Sequence, residues 1–176
     1  MVKKIAMVLL CTVLGSSLYA ENMTTGKGFL GLEVGYASVQ GDVGGFFPEL
    51  DREGDAVEYG IRLGAQTSEW RTMLLFDYYD SSDDDQNMEK GYLTVDYFFL
   101  QDDTSAFRPF IGVNVGYANY ESTDVDENGA LYGAQAGIVV NVAESIDLDL
   151  SYRYSLSSMD ALDHVGSVVF GLNYLY

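Results

Sequence analysis

The sequence predicts an all-β protein, an eight-stranded antiparallel up-and-down transmembrane β-barrel. Three observations carry that prediction. Apolar and polar residues alternate in eight separate segments of about ten residues, the length a tilted strand needs to cross a bilayer. Long and short connections between those segments alternate strictly along the chain. The polar parity consists of Gly, Asn, Asp, Arg and Ser, with Lys no closer than a loop edge, whereas a soluble barrel covers its water-facing side with Lys and Glu.

The chain has 176 residues, a length that suits one domain. Lys3 and Lys4 are followed by the short apolar run Ile5 to Leu14, then Gly15-Ser16-Ser17 and Leu18-Tyr19-Ala20. That is the layout of a secretory signal peptide cut after Ala20, leaving residues 21–176 as the barrel domain. The apolar run is too short to span a bilayer comfortably as a helix. Cys11 follows Leu10 rather than a small residue, which disfavours a lipoprotein. Its removal leaves a chain without thiol chemistry.

After Ala20 the dominant period is two, the signature of strands. Leu30, Leu32, Val34 and Tyr36 oppose Gly31, Glu33, Gly35 and Ala37. Val57, Tyr59, Ile61 and Leu63 oppose Glu58, Gly60, Arg62 and Gly64. Trp70, Thr72, Leu74, Phe76 and Tyr78 oppose Arg71, Met73, Leu75, Asp77 and Tyr79. Leu93, Val95, Tyr97 and Phe99 oppose Tyr92, Thr94, Asp96 and Phe98. Segment five sets Pro109 through Tyr117 against Arg108 through Gly116, and segment six sets Ala134 through Val142 against Gly133 through Asn141. Ile146, Leu148, Leu150, Tyr152 and Tyr154 oppose Asp147, Asp149, Ser151 and Arg153. The last segment sets Val168, Phe170, Leu172, Tyr174 and Tyr176 against Val169, Gly171, Asn173 and Leu175.

The apolar parity is expected to face lipid and the polar parity a crowded lumen, in which each glycine makes room for a large neighbour. Closure satisfies every strand N–H and C=O in a medium without water. Thr67–Glu69, Ala143–Ser145 and the fairly short Gln101–Ala106 are expected as periplasmic turns. Residues 41–54, 80–90, 119–131 and 156–164 are expected as longer, polar extracellular loops. Aromatic residues mark both ends of the segments, as interfacial girdles do.

Charge narrows the function. Lys and Arg number 9 against 27 Asp and Glu, a formal net charge of −18, and loss of Lys3 and Lys4 takes it to −20. Nucleic acid is therefore excluded as a partner, because phosphate binding needs cations.

The run Phe107-Arg-Pro-Phe-Ile-Gly-Val-Asn-Val-Gly-Tyr117 resembles the fifth strand of small OmpA/OmpX-like outer-membrane barrels, and Leu148-Asp-Leu-Ser-Tyr-Arg-Tyr154 the seventh. The ending Val168-x-Phe170-x-Leu172-x-Tyr174-x-Tyr176 is similar to the signal read by the barrel-assembly machinery, with Tyr where Phe is more usual. The resemblance covers about Gly28 to Tyr176. It implies an integral protein of the outer membrane of a Gram-negative bacterium, in contact with its lipid and lipopolysaccharide; a monomer is expected, and, with Tyr176 the last residue, no peptidoglycan-binding domain after the barrel. It implies no single activity, since such barrels host adhesins, anchors, small pores and a few enzymes.

Three constellations could carry chemistry. Glu33, Glu58, Arg62, Arg71, Asp77, Asp96, Arg108, Asp147, Asp149 and Arg153 fall on the lumen parity, where a charge must be paired or wet. They form either a salt-bridge network that plugs the lumen or the lining of a gated narrow pore. The loops are acidic, with Asp83-Asp84-Asp85 in one and Glu121, Asp124, Asp126 and Glu127 in another. Asp124-Val-Asp126-Glu-Asn128-Gly129 matches the first half of a calcium loop, although Gln135 stands where the bidentate Glu belongs. Weakly bound Ca2+ at Asp124, Asp126 and Asn128 is the one ion suggested, and no cofactor is. The lone His164 precedes Gly166 where lipid A deacylases resembling this barrel place Ser, and no amphipathic helix of the kind palmitoyltransferase barrels need precedes strand one. An enzyme is not expected. The function expected is structural or a cell-surface interaction through the acidic loops, with a narrow porin-like channel as the alternative.

Overall fold

The computed structural model describes residues 26–42, 51–81, 86–100, 106–122, 125–160 and 162–176. The signal-peptide reading of residues 1–20 lies outside them. Eight strands follow in chain order: β1 Lys27–Asp42, β2 Asp51–Gln66, β3 Trp70–Ser81, β4 Gln86–Phe98, β5 Phe107–Ser122, β6 Val125–Ala143, β7 Ile146–Ser157 and β8 His164–Leu175. Each pairs antiparallel with its sequence neighbours, and β8 pairs back onto β1 from Phe29↔Leu175 to Gln40↔His164, closing the barrel.

The parity prediction holds along every strand. Leu32, Tyr59 and Val113 are each more than 60% exposed, while Glu33 and Arg62 beside them in sequence or register are at most 4% exposed. This inverts the arrangement of a water-soluble protein, which rarely leaves a continuous apolar band uncovered. The lumen holds more than polar groups. Phe98, Phe110 and Val139 pack together near the turn end, and Tyr79, Met88, Tyr120 and Leu131 belong to a second buried cluster near the opposite end.

The strands run longer than the period suggests, from 12 to 19 residues. The surplus lies at the end away from the tight turns. Pairing between β5 and β6 continues to Ser122↔Val125, between β1 and β2 to Asp42↔Asp51, and between β3 and β4 to Ser81↔Gln86. The described residues of the segments expected as loops at 41–54, 80–90 and 119–131 are therefore strand. Polar side chains are no obstacle to a ladder where the strand faces water on both sides, so alternation fades before hydrogen bonding does.

The tight turns come out at the expected places. Thr67 Oγ1 accepts from the backbone N–H of Trp70 at 3.0 Å and of Glu69 at 3.3 Å, and the Thr67 N–H donates to Trp70 O at 2.7 Å. Glu144 and Ser145 form the turn after β6.

The connection between β7 and β8 departs from the polar, solvated loop expected at 156–164. Met159 and Leu162 turn into the barrel and are buried. Ser158 continues the β6–β7 ladder one position past Leu131↔Ser157, donating from its N–H to Ala130 O at 3.0 Å and accepting at Oγ from the Ala130 N–H at 2.9 Å. Gly129 lies beneath Met159, where a Cβ would press against the methionine side chain.

Candidate functional site: the charged lumen

Alternation along β1, β2, β3, β4 and β7 sends Glu33, Glu58, Arg62, Arg71, Asp77, Asp96, Asp147, Asp149 and Arg153 into the barrel, and all are buried. Arg108 on β5 is half-buried. The structure brings them together in three tiers.

The middle tier is a chain in which charges alternate in sign. Asp96 accepts from Arg71 at Oδ2 (2.8 Å from Nε, with Nη2 at 2.7 Å). Arg71 Nη1 donates to Asp149 Oδ2 at 2.5 Å, and Arg62 Nη1 stands 3.4 Å from the same oxygen. Arg62 Nε donates to Glu33 Oε2. Arg153 Nη2 donates to Glu33 Oε1 at 3.1 Å, and Arg153 Nη1 donates to Asp77 Oδ2 at 2.8 Å. Gln135 then bridges the chain into a ring, accepting from Arg153 Nε at 3.2 Å and donating to Asp96 Oδ1 at 2.7 Å. Strands β1, β2, β3, β4, β6 and β7 supply these groups. β5 and β8 supply room instead, since a Cβ on Gly112 would collide with the Asp96 carboxylate and one on Gly171 with the Arg62 guanidinium.

The tier nearest the turns is built on Asp147, which accepts from Gln66 Nε2 at 2.7 Å, Arg108 Nη2 at 3.1 Å and Asn141 Nδ2 at 2.9 Å. Guanidinium groups stack on its aromatic rings, Arg71 at 4.4 Å from the centroid of Phe110 and Arg108 at 4.6 Å from that of Phe98. Such contacts strengthen when water is excluded.

The tier nearest the opposite mouth is the ion pair Lys90 to Glu58, both buried. Lys90 is the last residue of the segment expected as the loop 80–90. It lies on β4 at the parity of Tyr92, Thr94 and Asp96, and extending that parity two residues outward finds it.

Among the described residues, Asp126 and Asn128 are exposed on β6, and Asp124 lies outside them. Asn128 accepts from the hydroxyl of Tyr117, and Asp126 stands opposite Glu121. On an extended strand alternate residues are about 7 Å apart along one face, so these two do not coil as calcium-loop ligands do. His164 is the first residue of β8 and its ring lies 5.1 Å from that of Tyr154, tilted by 34°. Ser167 is buried on the lumen parity, and the Tyr152 ring covers Gly166. No serine therefore sits two residues from His164 on its own face.

Fold and lumen together define a class, the small eight-stranded outer-membrane-type barrels with a charged interior. The chain superposes on Neisserial surface protein A (NspA) with a TM-score of 0.68 at 16% identity, covering 85% of this chain and 97% of that one. It superposes on outer membrane protein H (OprH) from P. aeruginosa with a TM-score of 0.58 at 19% identity, covering 85% and 99%. The outer membrane enzyme PagL gives 0.54 at 13% identity, covering 81% and 98%. No protein-family model matches the chain, and no curated protein does.

Proposed function

We propose that the protein is an integral barrel of the bacterial outer membrane, closed in its lumen, with a structural or surface-interaction role exerted from its loop end. The observation that carries this reading is the ring of ion pairs and hydrogen bonds that joins six of the eight strands across the interior. An eight-stranded barrel has an interior about filled by its own side chains, so a ring of this kind leaves the lumen to serve as a core. The exposed Leu, Val, Ile and aromatic band fits lipid, and the aromatic residues at its two edges fit the interfaces.

On this reading the N-terminal twenty residues are a cleaved export signal. The last strand serves the barrel-assembly machinery, lipid and lipopolysaccharide surround a monomer, and the acidic loops meet any surface partner. The arrangement around His164 supports a non-catalytic role. The charged lining of the lumen favours a second reading, a narrow channel for ions or small solutes. Conduction through it would require the arginine bonds of the ring to open.

Single-channel recording of the refolded barrel in a planar bilayer tests the two. Silence from protein shown to be folded by heat-dependent gel mobility supports the closed lumen. Steady openings whose conductance scales with salt would overturn it in favour of the channel.

A further inference from the structure

Counting charges in the lumen exposes an imbalance. Among the described residues, Glu33, Glu58, Asp77, Asp96, Asp147 and Asp149 are carboxylates turned into the barrel, against the cations Arg62, Arg71, Lys90, Arg108 and Arg153. These six buried acids outnumber the five cations that face them by one, and the half-buried Glu127 of β6 shares their parity. A buried charge without a partner is costly enough that the site takes up a compensating ion or proton.

Pairing locates the excess. Lys90 answers Glu58, and Arg108 answers Asp147. What remains is the alternating chain Asp96–Arg71–Asp149–Arg62–Glu33–Arg153–Asp77, four acids interleaved with three arginines and therefore acidic at both ends. The Asp96 end is fully bonded, Oδ2 by Arg71 and Oδ1 by Gln135. The Asp77 end is not. Its Oδ2 accepts from Arg153, but its Oδ1 is buried without a hydrogen-bond partner among the described residues, as is Glu58 Oε1 beside it. One carboxylate oxygen from each of Glu33, Glu58 and Asp77 lies within 4.8 Å of the others.

We propose that Asp77 carries a proton in the folded barrel, making the Glu33–Glu58–Asp77 group a buried proton-binding site. A proton on Oδ1 removes the excess charge and converts an orphaned acceptor into a donor that neighbouring carboxylates can receive. A proton also fits the space. Asp77 and Glu33 close over Gly60 so tightly that a Cβ there would strike both, leaving little room for a hydrated metal ion. The groups that face Asp77 are Glu33 from β1, Glu58 from β2, Lys90 and Tyr92 from β4, and Arg153 from β7, with Arg62 of β2 reaching it through Glu33 and Gln135 of β6 through Arg153.

A carboxyl protonated in the folded state and ionised in the unfolded one binds more protons when folded, so stability is lost as pH rises. The test is infrared spectroscopy of the refolded protein with isotope-labelled aspartate carboxyls, paired with the midpoint of the heat-dependent gel shift across pH. At neutral pH one protonated aspartate band is expected, disappearing in Asp77→Asn, and the wild-type midpoint should fall toward alkaline pH while that of Asp77→Asn stays level. A spectrum with every aspartate ionised at neutral pH overturns the proposal, and so does a protonated band that survives in Asp77→Asn. If Asp77→Asn does not fold, Asp77→Glu takes its place: the labelled aspartate band should vanish from that variant, and a surviving band overturns the proposal. A midpoint that rises when sodium replaces choline at constant ionic strength, with no protonated band, would assign the charge to a metal ion and also overturn it.

Discussion

Gly171 of β8 lies directly against the guanidinium of Arg62, in the space a Cβ would otherwise occupy. Gly171 also faces Asp149 and Glu33 in the two adjoining ladders, the acids that Arg62 joins. The glycine is thus the floor of an ion-pair crossing. Gly171→Ala is expected to cost about 1–3 kcal/mol by forcing overpacking. Gly91→Ala is the control, since its Cβ would meet nothing nearer than 3.8 Å. Denaturant unfolding from vesicles measures both, and equal midpoints for the two variants would refute the assignment of Gly171 as packing space for Arg62.

Lys90 and Glu58 form a buried ion pair beside the Asp77 end of the arginine chain. Removing one partner leaves an uncompensated charge, so Lys90→Met alone is expected to lose about 3–5 kcal/mol. Lys90→Met with Glu58→Gln should recover much of that loss, because no buried charge is then stranded. A double-mutant cycle of unfolding free energies reads the coupling, and additive losses would show that the two do not depend on each other.

Arg71 bonds Asp96 and Asp149 with a fork of nitrogens and stacks on Phe110. Lysine offers one ammonium and no planar face. Arg71→Lys is therefore expected to destabilise the barrel by more than about 2 kcal/mol despite keeping the charge, following the cost of breaking a buried ionic network. A gel-shift midpoint unchanged from wild type would show that charge alone suffices there.

Met159 and Leu162 bring the β7–β8 connection down into the mouth. Leu162→Asp should release it, because a carboxylate without a partner cannot stay in that apolar cluster. The expected result is faster amide exchange at Ala130 and Ser158, which hydrogen-bond where the β6–β7 ladder meets this connection, with the β1–β8 ladder still protected. Uniform loss of protection over the whole barrel would mean that Leu162 supports the fold rather than the cap.

The lumen was legible in the sequence wherever alternation is long. Glu33, Arg62, Asp77 and Arg153 each lie between outward apolar neighbours, so a two-residue period assigns them to the interior without reference to the rest of the chain. Lys90 was missed because the outward partners of its segment become polar near the strand end, as Glu89 shows. Met159 and Leu162 were missed because no period operates in a six-residue connection.

The sequence by itself determined the strand number, the faces and the short turns, because each depends on residues within a few positions of one another. Only the tertiary structure decided which charge meets which. Glu33 and Arg153 are 120 residues apart and Arg71 and Asp149 are 78. Their contact depends on barrel closure and on the register of every ladder between them, and a shift of one residue in any ladder would turn that strand's side chains to the opposite face.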